Sequence, residues 1–343
     1  MFREDQLIVG VIGIGHWGPN VVRNFADHPR VQLRYVCDVD TGAFKRVSKL
    51  VPKECQFVVD ASAIFSDEDI DAVVIITYAS THYDLVKRAL LSKKHVLCEK
   101  PLTLDVAEGE ELCLLAEASG LKLMVGLTFL FNNGVHKLKE LNSANLLGKI
   151  HYLTSVRTHM GLVRQDVDVF WDLAPHDISI MNFILGSMPE AVSATGAKVL
   201  GGIYYDVVFI TLYYHDGTIG QIHVSWVDSN KERLVCIIGS KARVEFNDLN
   251  ALETVRILEK GISFNEPVEA DFGKFRFLLR DGDIISPKID VSEPLSQLID
   301  TFVCAVLDEK EIIPDGRFAL EVTKILDAVQ KSLASRGLRQ LIK

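Results

Sequence analysis

The stretch LIVGVIGIGHWG, at Leu7–Gly18, constrains the fold of this chain more than any other feature. Its apolar first half predicts a buried β-strand, which runs directly into the pattern Gly-x-Gly-x-x-Gly. In that pattern Gly13 permits a tight turn, Gly15 lets the backbone approach a phosphate, and Gly18 lets the next helix pack against the strand. The sequence therefore predicts a dinucleotide-binding βαβ unit, whose loop residues Ile14, His16, Trp17 and the three glycines bind the cofactor.

An acidic residue in the expected place supports this interpretation. The run VQLRYVCD predicts a second strand, Val31–Asp38, and Asp38 follows Gly18 by 20 residues. A carboxylate at this position binds the ribose hydroxyls of the cofactor. It also repels a 2′-phosphate, so we expect NAD rather than NADP, although Arg46 on the next helix leaves NADP as an alternative.

The first 128 residues alternate short apolar runs with longer amphipathic ones, which is typical of a parallel sheet with crossover helices. Helices are predicted over Ser80–Leu91 and Asp105–Ala118. Further strands are predicted at Ala72–Thr77, His95–Lys100 and Leu121–Leu127. We expect residues 1–128 to form a Rossmann domain.

The rest of the chain has a different character. From residue 150 to about residue 285 it is rich in β-branched and aromatic residues, and Asp216-Gly217 between alternating runs predicts a hairpin. One helix, Pro175–Leu185, interrupts this region, and two more, Pro294–Leu307 and Arg317–Ser335, close the chain. The expected fold class is α/β: a Rossmann domain, followed over residues 129–343 by an α+β domain with an open, mainly antiparallel sheet for substrate binding and oligomerisation. The final helix is a candidate to pack back on the first domain.

Composition excludes several classes of protein. The net charge of −9 argues against a general nucleic-acid surface. The six cysteines form no Cys-x-x-Cys pair, the ten histidines show no metal-ligand spacing, and no apolar run reaches the length of a membrane span. We therefore expect a cytoplasmic protein without a metal, with reduced cysteines and without a signal peptide.

Two segments carry the residues of greatest chemical interest. In CEKPLTL, at Cys98–Leu104, Pro101 restricts the preceding lysine, Lys100, to extended geometry at the end of a strand. In WDLAPHDISI, at Trp171–Ile180, Asp172 precedes His176 by four residues near the start of a helix. Taken alone, each segment also fits a structural interpretation: an exposed lysine before a turn, and a capped helix with a buried histidine.

Together with the glycine motif and Asp38, these segments resemble the glucose–fructose oxidoreductase / inositol dehydrogenase family. The segment Thr77–Leu90 and the closing run Asp315–Gly337 are also similar to the family, so the resemblance extends in order over most of the chain. It implies an enzyme that oxidises a CH–OH group with NAD. It also implies homodimers or homotetramers formed through the outer face of the second sheet.

The resemblance assigns roles to individual positions. Lys100 is implied to contact both substrate and cofactor, and Asp172 and His176 to be the active-site aspartate and the proton-accepting histidine. The loop residues Thr77, Ser80 and His82, with Glu99 nearby, are implied to lie along the nicotinamide half of NAD. All of these remain expectations from the family pattern.

The substrate is less constrained. GHWGPN and WDLAPHDISI together are most similar to a subgroup that acts on nucleotide-linked sugars, which predicts oxidation at C3 of a UDP-linked pyranose. A diphosphate needs nearby cations, and Lys149, Arg157 and above all Arg164 are the candidates. Many sugar-acting relatives have a Gly-x-x-x-Arg arrangement after the sixth strand, whereas this chain has VGLTFLFNNGV, in which Asn132 is either a sugar ligand or a helix cap. A free sugar or polyol dehydrogenase and a non-catalytic regulator that binds NAD and sugar are the alternatives.

Overall fold

The computed structural model describes residues 6–161, 163–264 and 277–343. The chain divides into two compact units, each containing one large sheet. The first unit comprises Met1–Phe131 and Ser292–Asp327, and the second comprises Asn132–Val291 and Ala328–Lys343. Part of the predicted antiparallel region, residues 265–276, lies outside the described residues.

The first unit contains a parallel sheet of six strands in the order β3-β2-β1-β4-β5-β6. The strands are β1 (Leu7–Ile12), β2 (Val31–Cys37), β3 (Gln56–Val58), β4 (Ala72–Ile75), β5 (His95–Cys98) and β6 (Leu123–Val125). This is the strand order of a Rossmann fold. Every residue of β1 is buried, as expected for a central strand with both faces covered.

Four helices follow strands of this sheet in the first part of the chain. They are α1 (Gly18–Asp27), α2 (Ser62–Ser66), α3 (His82–Leu91) and α4 (Val106–Ser119). The ends of α4 show why the sequence specifies it: the Asp105 side chain accepts hydrogen bonds from the amides of Ala107 and Glu108, and Gly120 ends the helix with a φ of 65°.

The second unit is built on a nine-stranded sheet in the order β16-β13-β12-β11-β7-β10-β9-β8-β17. Its strands are β7 (Ile150–Met160), β8 (Ala191–Ala197), β9 (Val207–Tyr213), β10 (Ile219–Ser225), β11 (Val227–Gly239), β12 (Arg243–Asn247), β13 (Val255–Leu258), β16 (Ile284–Ile285) and β17 (Gln340–Leu341). Two further strands, β14 (Gly261–Phe264) and β15 (Phe277–Arg280), pair with each other.

The prediction of a mainly antiparallel sheet is confirmed, with one exception. The strands β7 and β10 are parallel neighbours in the middle of the sheet, so the sheet is mixed. The predicted hairpin joins β9 to β10, and Gly217 adopts a φ of 85° at its turn. Two helices precede β8: α5 (Asn133–Ser143) and α6 (Val169–Leu185), which packs on β7, β9 and β10.

Two helices lie near the end of the chain, α7 (Pro294–Leu307) and α8 (Gly316–Ala334), close to the predicted bounds. Within the first unit α7 packs against α1 and β1. The helix α8 is shared between the units, since the division falls after Asp327. No helix in the described part of the chain combines the length and hydropathy of a bilayer-spanning segment.

Candidate active site

The predicted cofactor residues of the first unit all follow the carboxyl ends of parallel strands. The glycine turn follows β1, Asp38 follows β2, the Thr77–His82 loop follows β4, and Glu99 and Lys100 follow β5. In open α/β sheets this edge is where ligands bind. The fold therefore brings these residues to one edge of the sheet.

The geometry of the turn fits a dinucleotide. Gly13 has a φ of 99°, and a Cβ atom there would lie 2.6 Å from the carbonyl oxygen of Ile76, so only glycine fits. A Cβ on Gly15 would meet nothing closer than that same oxygen at 4.0 Å, which leaves open space beside the backbone. A pyrophosphate group needs such space next to the N-terminus of a helix, here α1.

The side chains of this loop differ in their surroundings. Ile14 is buried, whereas Trp17 is 54% exposed and meets the His16 ring edge-on, with ring centroids 6.2 Å apart. Trp17 caps the start of α1 through its backbone, and Gly18 is the first residue of that helix. The tryptophan indole is thus presented to solvent rather than packed beside the glycine turn.

Asp38 is tied directly to the glycine turn. Its Oδ2 atom accepts a hydrogen bond from the Ile14 amide at 2.6 Å, and Oδ1 accepts one from the Asp40 amide at 2.9 Å. Each carboxylate oxygen can accept a further hydrogen bond, which leaves acceptor sites for the ribose hydroxyls. Arg46 donates to the carbonyl oxygen of Ile14, so a cation and the acid both bind the backbone of the same residue.

His82 is a buried connector between two loops. Its side chain is 1% exposed, and its ring nitrogens contact the carbonyl oxygens of Pro101, at 2.7 Å, and Thr77, at 3.2 Å. Ser80 in the same loop is exposed and Thr77 is half-buried. The histidine therefore links the loop that follows β4 to the loop that follows β5.

Glu99 and Lys100 are both half-buried at the end of β5. The Glu99 Oε2 atom accepts a hydrogen bond from the Lys100 amide at 3.0 Å, and the peptide bond between Lys100 and Pro101 is cis. Gly126 lies against this glutamate, because a Cβ there would sit 3.0 Å from Glu99 Oε1.

The second unit places Asp172 and His176 on one helix. The helix α6 begins at Val169 rather than at Pro175, so the predicted start was wrong by six residues and Pro175 lies inside the helix. The start is fixed from a distance: the Val169 amide donates to the Tyr205 carbonyl, and the Tyr205 amide donates to Asp168 Oδ1.

This earlier start changes the relation between the two candidate residues. Because both now lie within regular helix, a spacing of four residues puts them on the same face, one turn apart. Both are partly exposed, whereas Ala174, Pro175 and Asp177 around them are buried. The helix thus presents an aspartate and a histidine together on its accessible face.

Two of the side chains that contact Asp172 come from other parts of the second unit, one from the loop before α6 and one from the junction of β10 and β11. Arg164 Nη1 lies 3.4 Å from its Oδ1 atom, and Trp226 Nε1 lies 3.3 Å from Oδ2. The same arginine binds Asp166 through two of its nitrogens, with Nε 2.9 Å from Oδ1. Arg164, the preferred diphosphate ligand, is therefore paired with two carboxylates.

The other predicted cations are placed less favourably for a substrate. Arg157 is 4% exposed and forms a buried ion pair with Asp177, Nε to Oδ2 at 2.7 Å and Nη2 to Oδ1 at 3.1 Å. Lys149 directly precedes β7, and His159 lies near the other end of that strand. The extended strand between these two residues spans about 33 Å. Asn132 caps α5, since its Oδ1 atom accepts from the Gly134 amide at 2.8 Å.

Sequence reasoning missed two residues near Asp172, Trp226 and His159. Burial lowers the pKa of His159, with Arg233 and Lys231 adding to the effect and Asp172 opposing it. Neither residue carries a motif. Their proximity to Asp172 arises from strand pairing between distant parts of the chain, which a single sequence does not reveal.

The fold and these geometries define a class of protein. A Rossmann domain with an open glycine turn and an acidic residue after β2, joined to a mixed sheet with an aspartate–histidine pair, is an NAD-dependent oxidoreductase. Two family profiles support this class. One, described as an oxidoreductase family with an NAD-binding Rossmann fold, matches residues 7–127, and the GFO/IDH/MocA C-terminal domain matches residues 135–245. The chain belongs to the GFO/IDH/MocA oxidoreductase family, as its motifs indicated.

Relatives of known activity are distant but span nearly the whole chain. An inositol 2-dehydrogenase from Rhizobium meliloti is 25% identical, with 95% of this chain and 97% of the relative covered. A UDP-N-acetylglucosamine 3-dehydrogenase from Acidithiobacillus ferrooxidans is 27% identical, with 90% and 91% covered. A solved structure of the latter enzyme superposes with a TM-score of 0.82 at 24% identity, over 96% of this chain and 98% of that chain, which shows a shared fold.

Proposed function

We propose that this protein oxidises a secondary hydroxyl of a sugar by hydride transfer to NAD, and that the substrate is a UDP-linked pyranose oxidised at C3. The observation that carries the proposal is the Asp172–His176 pair on the accessible face of α6. The similarity to a UDP-N-acetylglucosamine 3-dehydrogenase supports the choice of substrate.

Each candidate residue has a task in this reaction. NAD, held when bound by the glycine turn and Asp38, would supply the acceptor for the hydride. The His176 imidazole accepts the hydroxyl proton, a task suited to histidine because its titration lies near neutral pH. Its Nδ1 atom is buried, which favours Nε2 as the atom that receives the proton.

The other two residues stabilise the reacting group. The Lys100 ammonium donates a hydrogen bond to the substrate oxygen and stabilises the negative charge that develops as the proton leaves. Asp172 accepts a hydrogen bond from a neighbouring hydroxyl of the sugar, because its carboxylate already has a fixed orientation. In this scheme the protein supplies orientation and electrostatics, and the cofactor supplies the hydride acceptor.

The proposal is tested by mixing the protein and NAD with a panel of UDP-sugars and free polyols and following the near-ultraviolet absorbance of reduced nicotinamide. His176→Ala should lower kcat by about 10²- to 10⁴-fold, the usual contribution of a general base, and should leave NAD affinity largely intact. Lys100→Ala should also abolish most turnover. The exposed residues His215 and Lys288 provide matched control variants, His215→Ala and Lys288→Ala, which should keep full activity. Unchanged turnover in both active-site variants would contradict the proposal.

A free polyol is the second candidate substrate, and a specific observation favours it. The cations predicted to bind a diphosphate are a buried ion pair partner, a lysine at the far end of β7 and an arginine already paired with two acids. A polyol requires none of them. The similarity to an inositol 2-dehydrogenase points the same way.

Arg164→Gln separates the two candidates. If Arg164 binds a diphosphate, the variant raises KM for the UDP-sugar by about tenfold or more, as expected for a lost charge-assisted bond, and leaves turnover of a polyol unchanged. If Arg164 only orients Asp172, the variant lowers kcat for every substrate. Tight NAD binding without turnover of any compound in the panel would instead favour a non-catalytic regulator.

The outer face of the second sheet is a proposed subunit interface. Tyr152, Ile219 and Phe209 are each more than 40% exposed on that face, and Phe209 stacks on His223 at a centroid distance of 4.4 Å. Such an apolar patch on a sheet suits a homodimer or homotetramer. Sedimentation velocity of the wild type and of Phe209→Lys tests this proposal. The wild type should sediment as a dimer or tetramer, and the lysine in the patch should favour dissociation. A monomeric wild type would contradict the proposal.

A further inference from the structure

Trp226 is a buried aromatic residue at the junction of β10 and β11. Its side chain lies in the core of the second unit, with 1% of the residue exposed, and its amide donates to the Asp206 carbonyl at 3.0 Å. The indole Nε1 atom lies 3.3 Å from Asp172 Oδ2. A tryptophan in the core needs an acceptor for its one polar hydrogen, and here the acceptor is a predicted active-site carboxylate.

The indole differs from Arg164 as a partner of Asp172. Arg164 sits in a loop, its side chain is 22% exposed, and it is shared with Asp166. Trp226 is held between β10 and β11 with its amide bonded to Asp206 and its ring in the core, so its Nε1 atom has less freedom to move than the Arg164 side chain. A donor held in the core restricts the orientation of the carboxylate, whose two oxygens together offer about four acceptor positions.

We infer that Trp226 is a positioning residue for Asp172: the fixed indole sets the direction in which the carboxylate receives a substrate hydroxyl. The inference rests on the proposed function in one respect, namely that Asp172 contacts the substrate. Residues on rigid elements that hold a reacting group in place contribute to rate because small errors of orientation are costly.

The test compares two buried tryptophans. Trp226→Phe removes the hydrogen bond to Asp172 and keeps most of the ring. The control is Trp171→Phe: Trp171 is 4% exposed, adjoins Asp172 in sequence, and donates instead to Gln330 Oε1 at 3.1 Å. Each variant loses one indole hydrogen bond, but only the first loses one to the carboxylate.

Steady-state kinetics should separate the two variants when the substrate is the compound of the UDP-sugar and polyol panel that the wild type oxidises fastest. Trp226→Phe is expected to lower kcat by about tenfold, the effect of one bond to a charged group, with little change in KM for NAD. Trp171→Phe is expected to keep the wild-type kcat. A double-mutant cycle adds a readout that a structural role would not move: with Asp172→Asn in place, Trp226→Phe should cost little further activity. An equal loss of kcat with and without Asp172→Asn would overturn the inference.

A substrate-free measurement distinguishes failure of this inference from failure of the proposed function. The chain has three tryptophans, so the ¹H–¹⁵N spectrum of the indole groups holds three resonances, assigned by tryptophan-to-phenylalanine changes. Asp172→Asn should shift the Trp226 resonance and leave that of Trp171 in place. If the Trp226 resonance does not move, the inference is wrong even for an active enzyme. If it moves while UDP-sugars are not oxidised, the contact stands and the proposed substrate fails.

Discussion

The buried ion pair between Arg157 and Asp177 gives the most quantitative prediction about this protein. Asp177 is 1% exposed and accepts three side-chain hydrogen bonds, two from Arg157 and one from Ser155 Oγ at 2.6 Å. Asp177→Asn removes the negative charge that the buried Arg157 guanidinium faces. Breaking a buried pair in this way costs about 3–5 kcal/mol, a large part of the roughly 5–15 kcal/mol that stabilises a typical domain.

Urea denaturation followed by tryptophan fluorescence measures this loss in the second unit. Trp171 and Trp226 are both buried there, and a Trp17→Phe background removes the exposed third indole. For a slope of about 2 kcal/mol per molar urea, a loss of about 4 kcal/mol lowers the midpoint by about 2 M. The shift is therefore far outside the error of the assay.

Two comparisons make the prediction specific. Glu245→Gln breaks an ion pair with Arg243 in the same sheet, but the arginine side chain is 42% exposed, so the cost should stay below about 1 kcal/mol. The double variant Arg157→Met/Asp177→Asn removes both charges and should recover much of the stability lost by the single variant. The reasoning is refuted if Asp177→Asn is no more destabilising than Glu245→Gln, or if the double variant is the least stable of all.

Three further predictions concern the cofactor edge and the surroundings of Asp172. Asp38→Ala should raise KM for NAD by about tenfold or more, because charge-assisted bonds to the cofactor are lost. It should also reduce the preference for NAD over NADP. An unchanged cofactor preference in steady-state kinetics would contradict the role of Asp38. Gly13→Ala should abolish NAD binding in calorimetry, because the added Cβ would lie 2.6 Å from the Ile76 carbonyl at a φ of 99°. Burial lowers the pKa of His159, and the positive charge of Lys231 lowers it further. Lys231→Gln should therefore raise the pKa of His159 in an NMR titration. An unchanged or lower pKa in the variant would contradict this effect of Lys231.

Local sequence signals predicted the first unit well because its elements are specified locally. The run Leu7–Gly13 forms β1 and the start of the turn, Gly18 begins α1, and Asp38 directly follows β2. Apolar runs, glycines and capping residues act within a few positions of themselves, so a single sequence is enough to find them.

The start of α6 shows where local signals fail. Proline is favoured in the first turn of a helix, so Pro175 predicted the start there. In the structure the backbone of Tyr205, more than 30 residues later, accepts the first amide of the helix and moves its start to Val169. Proline is then tolerated inside the helix, on its buried side. The same kind of long-range contact joins Trp226 to Asp172, which are 54 residues apart in the sequence. No periodic pattern in the sequence predicts this contact.

The ion pairs of the second unit also depend on contacts between separate parts of the chain, and they affect the choice of substrate. From the sequence, Arg157 is a candidate ligand for a diphosphate; in the structure it forms an ion pair with Asp177 on helix α6. An arginine that already binds Asp166 and Asp172 can accept a diphosphate only by weakening those bonds, so part of the Coulomb gain is offset by the loss. A nucleotide-linked substrate would therefore be recognised mainly through its sugar and through hydrogen bonds, with Arg164 adding less than a free arginine would. A polyol does not need Arg164 as a ligand, so the ion pairs of Arg164 do not weaken its binding. A test of specificity should therefore compare each UDP-sugar with a polyol.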